Sequence, residues 1–332
     1  MKPTFFLRLI CIFLFSFTAD SAFAVKVRLA KQFGISFLPL VVMEADKLLE
    51  AEGKKLGIDI ETEWLRFAGG APMNEALLSG DLDLAAGGVG PLLIMWDKTR
   101  NNLKVKGVAA LNAIPIFLNT INPDVRSLRD LKEGDRIAVP AIKVSAQAII
   151  LQMAAAKEFG DEQFGKLDPL TVSMSHPDAQ VALLSGKLGL TAHFCNAPYV
   201  YDELNDSRVR TILKSNDVLG GPHTLNAVWT STRFAEANPR LLLAFLGALE
   251  QSMKMIHFYP QRAAQLWLKQ EKSTLSEENA VNIIVNSDYE WTMTPKKVMV
   301  FANFMNKIGV IQSKPAIWTE LFFENIKLLH GD

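Results

Sequence analysis

Apolar and polar residues alternate along VKVRLA at 25–30 and again along IDIETEWLRF at 58–67, the period-two pattern of half-buried strands. Between them, residues 40–52 repeat apolar positions every three or four, which predicts a helix. Pro39 suits its first turn and Ser36 is placed to cap it. The glycine-rich loop AGGAPM then opens a helix over 73–78, and a further helix is predicted at 92–96, with strands at 105–111 and 114–121. After Asn122-Pro123 the series restarts. A short helix at 127–131 and a strand at 136–140 precede a long helix capped by Ser145 and running to 159. A strand at 170–174, a helix at 177–184 and a strand at 208–213 follow. The stretch at 225–230, LNAVWT, is expected to pair with the 114–121 strand and carry the chain back. Beyond residue 235 the pattern is helical, with helices predicted over 238–258, 261–270, 276–286, 294–308 and 316–329.

One pattern occurs twice. LLSGDLDLAAGGVGPL at 77–92 and LLSGKLGLTAHFCNAP at 183–198 share Leu-Leu-Ser-Gly-x-Leu-x-Leu-x-Ala when Gly80 is laid on Gly186. Each reads as a helix end, a Ser-Gly turn, a short buried strand and a loop. The repeat predicts an α/β protein of two similarly built lobes, each a mostly parallel sheet flanked by helices. The loops after the strands would face one another across a cleft. A helical tail is expected to pack back on the first lobe.

The N-terminus adds a destination. Lys2 and Arg8 precede the apolar run 9–17, and Ala22-Phe23-Ala24 offers a small-x-small cleavage site, the order of a secretory signal peptide. The run is short for a membrane span. Residues 1–24 are therefore expected to be removed after Ala24, giving an exported, periplasmic product. They carry Lys2, Arg8 and Asp20, two basic residues and one acidic. The full chain has 35 of each sign, so the mature net charge is near −1. Such a balance gives nucleic acid no electrostatic handle. Cys11 leaves with the leader, and Cys195, then the lone thiol, reads as a small buried filler.

Ligands of open parallel sheets bind beyond the C-terminal strand ends, where helix N-termini and glycine loops expose backbone N–H groups. Six segments take such positions: 33–39, 68–73, 87–91, 141–145, 193–198 and 220–224. The candidate ligand-binding residues they supply are Phe33, Ser36, Phe37, Gly69, Gly70, Gly87, Gly88, Lys143, Ser145, His193, Phe194, Asn196, His223 and Thr224. The six segments contain no Asp or Glu, which favours an anion or a neutral polar ligand over a cation. The phenylalanines suggest an organic anion. GxSxG, HExxH, CxxC and the nucleotide loops do not occur, and the histidines at 176, 193, 223, 257 and 330 lack metal-ligand spacing. No enzyme activity, cofactor or metal is expected. His176, in Ser-His-Pro-Asp, reads as part of a helix cap.

The chain resembles the solute-binding proteins of ABC importers, in the nitrate/sulfonate/taurine group. The resemblance rests on FGISFLPL at 33–40, ALLSGDLDL at 76–84 with GGVGP at 87–91, SLRDL at 127–131 and FAEANP at 234–239. It also rests on the closing MTP, NFM and GVI at 293–295, 303–305 and 309–311. It implies a type II periplasmic-binding fold with a two-strand hinge, lobe 1 being 25–116 plus 229–332 and lobe 2 being 117–228. It further implies a monomer that captures a small anionic or polar organic solute, sulfonate-, nitrate- or carboxylate-like, and delivers it to a membrane permease and its ATPase. Two alternatives stay open: a protein or enzyme handling a pyrimidine-type cofactor precursor on the same fold, and a ligand-sensing partner of a membrane receptor.

Overall fold

The computed structural model describes residues 24–332, so the expected leader lies outside the described residues except for Ala24. The chain first lays down β1 (Val25–Lys31), β2 (Ile60–Arg66), β3 (Leu84–Gly88) and β4 (Lys106–Ala110). It then crosses and builds β5 (Phe117–Thr120), β6 (Ile137–Val139), β7 (Thr171–Ser173), β8 (Ala192–Cys195) and β9 (Arg210–Lys214) before returning as β10 (Asn226–Thr230). Two five-stranded sheets result, ordered β2-β1-β3-β10-β4 and β7-β6-β8-β5-β9. β1 runs parallel to β2 and β3, while β10 is antiparallel to both β3 and β4. The second sheet repeats this, with β6 parallel to β7 and β8, and β5 antiparallel to β8 and β9. Each sheet is thus mostly parallel, with one reversed strand next to the outermost.

The repeated sequence occupies equivalent places. Each copy ends a helix, Gly70–Ser79 or His176–Ser185, on a glycine with left-handed backbone, Gly80 at φ 83° and Gly186 at φ 65°. A side chain there would be strained. The strands that follow, β3 and β8, are the central members of their sheets. Both are buried nearly throughout, so neither shows a clean alternation of apolar and polar residues.

β10 does not pair with the 114–121 region as expected. It inserts between β3 and β4, because β3 is built of small residues: Trp229 is fully buried, and a Cβ on Gly87 would stand 3.0 Å from its ring. The predicted helix at 316–329 is also absent. Only the single turns Trp318–Glu320 and Glu324–Ile326 form there. The intervening backbone is used at the sheet edge instead, where Gly107 N–H donates to Leu321 O (2.8 Å) and Phe323 N–H to Gly107 O (2.9 Å). Phe322 lies over Gly107, so close that a Cβ would meet its ring at 2.3 Å.

The other late helices form. Pro239–Phe258 buries Leu241, Leu242, Phe245, Ala248, Leu249 and Ile256, a stripe at helical spacing. It packs on helices Leu38–Ala45 and Leu48–Lys55 beside the first sheet. The tail therefore completes the first lobe. Among the described residues no helix is long and apolar enough to cross a membrane.

Candidate functional site

The two sheets point their C-terminal strand ends at one another, and a cavity of about 20 Å³ lies between them. Such a volume admits about one or two water-sized groups. Gln32 and Phe33 follow β1, Gly88 ends β3, Pro140 follows β6 and Asn196 follows β8. Phe37, Gly70, Pro91, Ser145, Ala146, Gln147, His176, Leu225 and Asn226 complete the wall.

Four helices start at this cavity: Gly70–Ser79, Val89–Lys98, Ala146–Phe159 and His176–Ser185. The first three have no acidic residue in the first turn, and their unpaired N–H groups carry the positive end of the helix dipole. Ser145 caps the third by accepting from Ala148 N–H at 3.2 Å. In the fourth, the capping oxygen belongs to Ser175, and Asp178, its acidic residue, accepts from the Ser175 hydroxyl. His176 is thus free of the expected capping duty and forms part of the cavity wall.

The wall holds no carboxylate and no cation. Burial and the neighbouring His193 keep His176 well below the ordinary histidine range, so it is neutral near pH 7. What remains are amides, a hydroxyl, helix N-termini and two phenylalanine rings.

The two halves touch around this cavity. Asn196 Nδ2 donates to Ser36 Oγ at 2.8 Å, and Ile35 N–H donates to Ala197 O at 3.1 Å. Asn196 Oδ1 is buried without a partner. Because amide orientation is a matter of hydrogen-bond fit, the Ser36 hydroxyl can equally donate to Oδ1 and leave Nδ2 as the free donor. Glycines permit the approach: a Cβ on Gly90 would stand 2.6 Å from Val144 O, and one on Gly34, at φ 108°, 2.9 Å from Asn196 Nδ2. Farther out, Lys214 pairs with Asp288 (2.5 Å) and Lys307 with Asp161 (2.6 Å).

Of the sequence candidates, Phe33, Phe37, Gly70, Gly88, Ser145 and Asn196 line the cavity, and Ser36 stands behind Asn196. Gly69 packs on Pro140 and Gly87 on Gln32. Lys143 is exposed and outside the lining. Phe194 is fully buried in the core. His193 is also fully buried, one residue behind the wall: its Nε2 meets His176 Nδ1 at 2.8 Å and its Nδ1 meets Glu203 Oε1 at 2.5 Å.

His223 lies in the crossing between lobes, 2.8 Å from Ser215 Oγ, and burial lowers its pKa to about 4. Thr224 accepts from Lys296 N–H at 2.8 Å. Sequence reasoning missed Gln32, Gln147, His176 and Asn226. Gln147 and His176 stand just inside helix starts, and a count of first-turn polar residues would have found them.

His193 Nδ1, Cys195 Sγ and a Glu203 oxygen lie within 4.8 Å of one another. The atoms are engaged in hydrogen bonds: Glu203 Oε2 accepts from Asn119 Nδ2 at 2.9 Å and from the Cys195 thiol at 3.5 Å. Burial and Glu203 push that thiol well above its usual range, so it keeps its proton. We assign the group as a hydrogen-bond network rather than a metal centre.

No protein-family profile matches the chain, and no curated protein does. Solved structures do. The alkanesulfonate-binding protein SsuA from Xanthomonas axonopodis pv. citri, bound to MOPS, is 16% identical over 89% of this chain and 97% of that one, with a TM-score of 0.69. The periplasmic aliphatic sulphonate-binding protein SsuA from Escherichia coli is 17% identical over 90% and 99%, with a TM-score of 0.65. The periplasmic nitrate-binding protein NrtA from Synechocystis PCC 6803 is 14% identical over 91% and 87%, with a TM-score of 0.72. The chain has the two-lobed fold of these periplasmic binding proteins.

Proposed function

We propose that the chain is the solute-binding component of an ABC importer of the nitrate/sulfonate type, a periplasmic protein without enzyme activity that closes on a small anion and delivers it to a membrane permease and ATPase. The observation that carries this reading is the convergence of four helix N-termini on an interlobe cavity whose side chains bear no charge. Such a wall stabilises a compact oxyanion through N–H and amide donors and offers a cation no carboxylate. A nitrate- or sulfonate-sized head group is larger than the one or two water-sized groups the cavity admits, so its entry requires the lobes to part, with the Phe33 and Phe37 rings against any apolar part. The solutes named for the structurally similar proteins are of this chemistry.

In this reading residues 1–24 are a leader removed after Ala24. The lobes are those expected, 25–116 plus 229–332 and 117–228, with the return boundary moved ahead of Asn226 because β10 (Asn226–Thr230) belongs to the first sheet. The protein acts as a monomer, since one chain supplies both walls. Gly70, Gly88, Ser145, Gln147, His176 and Asn196 contact the ligand.

A thermal-shift series with nitrate, methanesulfonate, acetate and a pyrimidine tests this. A bound anion at a hundredfold excess over its Kd stabilises by about 2.7 kcal/mol and raises the melting point by several degrees. A rise with the pyrimidine alone would replace the anion reading by the cofactor-precursor alternative. Turnover of any of these by the pure protein would replace it by an enzyme.

A further inference from the structure

Four buried side chains form a line from the cavity into the second lobe. Gln147, in the cavity wall, meets His176 Nε2 at 3.3 Å, His176 Nδ1 meets His193 Nε2 at 2.8 Å, and His193 Nδ1 meets Glu203 Oε1 at 2.5 Å. Asn119 and the Cys195 thiol donate to the other Glu203 oxygen. His193 and Glu203 are fully buried. Both oxygens of the Glu203 carboxylate accept, so it stands as the acceptor end of the line.

The donors then have one consistent order. Gln147 N–H donates to His176, His176 Nδ1–H to His193, and His193 Nδ1–H to Glu203. Both histidines are neutral, and the line carries one negative charge facing a cavity built for an anion. Adding one proton reverses the order. His193 then has both nitrogens protonated, its Nε2–H donates to His176 Nδ1, and His176 carries its proton on Nε2. Gln147 must turn its carbonyl to His176, which presents its NH2 group to the cavity.

Resting on the anion reading of the same cavity, we propose that this line takes up one proton with each anion bound, and that Gln147 is the residue whose edge changes from acceptor to donor. The proton comes from water to His176 Nε2, the Nδ1 proton of His176 passes to His193 Nε2, and the buried negative charge is cancelled by an imidazolium beside Glu203. One O–H bond of a hydronium ion breaks as the N–H bond at His176 Nε2 forms, releasing water, and the N–H bond lost at His176 Nδ1 is replaced by one at His193 Nε2. His176 does not keep the charge, because burial and His193 disfavour it there.

The other titratable groups facing the line are Cys195 on β8, Tyr199 and Asp202 on the helix Tyr199–Leu204. Burial raises all three, which keeps the thiol and the phenol neutral near pH 7. Tyr199 stacks on His176 with ring centres 5.4 Å apart and senses the pair Arg66 and Glu271 from the first lobe. The neighbouring Gln180 amide opposes the rise at Asp202. Among the described residues no lysine or arginine is hydrogen-bonded to a member of the line.

The test is calorimetry of nitrate and methanesulfonate between about pH 5.5 and 8.5; neither anion titrates there, so any proton taken up enters the protein. Amine buffers of different ionisation heat are used, because sulfonate and phosphate buffers would compete. The expected result is uptake of about one proton per anion, with affinity falling about tenfold per pH unit on the alkaline side and levelling at acid pH. Glu203→Gln should abolish both the uptake and the slope. Binding of either anion with constant affinity and no proton uptake overturns the inference and leaves the anion reading standing. Failure of both to bind at every pH overturns the two together. Should the variant not fold, 15N-imidazole spectra of the unaltered protein decide. Nitrate or methanesulfonate must move the His176 proton from Nδ1 to Nε2, and an unchanged tautomer overturns the inference.

Discussion

Gly90 and His223 show how single residues control approach and flexibility between the lobes. With Val144 O only 2.6 Å from the site of a Cβ, Gly90 admits no side chain in the closed arrangement. Gly90→Leu is expected to weaken anion binding at least tenfold while leaving the melting point of the ligand-free protein within about 2 °C, because the clash arises only on closing. Calorimetry and a melting curve of one sample check both halves. His223 ties the two crossings together: its Nε2 faces the hydroxyl of Ser215, which accepts from Ile116 N–H at 2.9 Å. Folded, it stays neutral down to about pH 4 against 6.5 when unfolded. The stability it supports is therefore complete above pH 6.5 and falls as pH drops toward 4, by on the order of 3 kcal/mol in all. Denaturant titrations across that range should show the loss, and His223→Gln, which keeps a partner for Ser215, should remove that share of it. Neither role was legible in the sequence. Gly-Gly-Pro-His reads as a loop, and only the fold brings residue 223 against residue 215. The line from Gln147 to Glu203 was hidden for the same reason: its spacings of 29, 17 and 10 residues match no local period.

The echo at residues 77–92 and 183–198 was legible because its cause is local. A helix must end, glycine alone accepts the left-handed turn without strain, and the leucines that follow need a core. The neighbour of β10 was not, since LNAVWT suits any buried antiparallel place. What decides is the row of small residues on β3 that leaves room for Trp229. The end of the chain misled for a related reason. Trp318, Phe322 and Phe323 are spaced as on a helix, but Leu321 and Phe323 use their backbone on Gly107, and two edge hydrogen bonds outweigh a short helix. Phe322→Ala should cost about 3–5 kcal/mol in chemical denaturation through the cavity left over β4. Anion affinity should stay unchanged, since Phe322 lies away from the interlobe cavity.

At the scale of the molecule, two sheets of one topology face each other through strand ends, and residues from both enclose the cavity. A ligand touching both walls favours the closed arrangement by the difference between its affinities for the two arrangements. The two-lobed plan, the tail on the first lobe and the loops that converge could be expected from the order of elements. The identity of the wall could not, because it depends on which of several polar residues near each helix start turns inward.

The reversed strand of each sheet also sets an order of assembly. β5 to β9 are continuous in sequence, so the second sheet has all its strands once residue 214 has been synthesised. The first sheet does not: β3 and β4 lie on either side of β10, and the edge of β4 waits for residues 321–323. A growing chain therefore carries an unfinished half with open strand edges until residues 321–323 are made. During synthesis the first lobe thus exposes open strand edges far longer than the second.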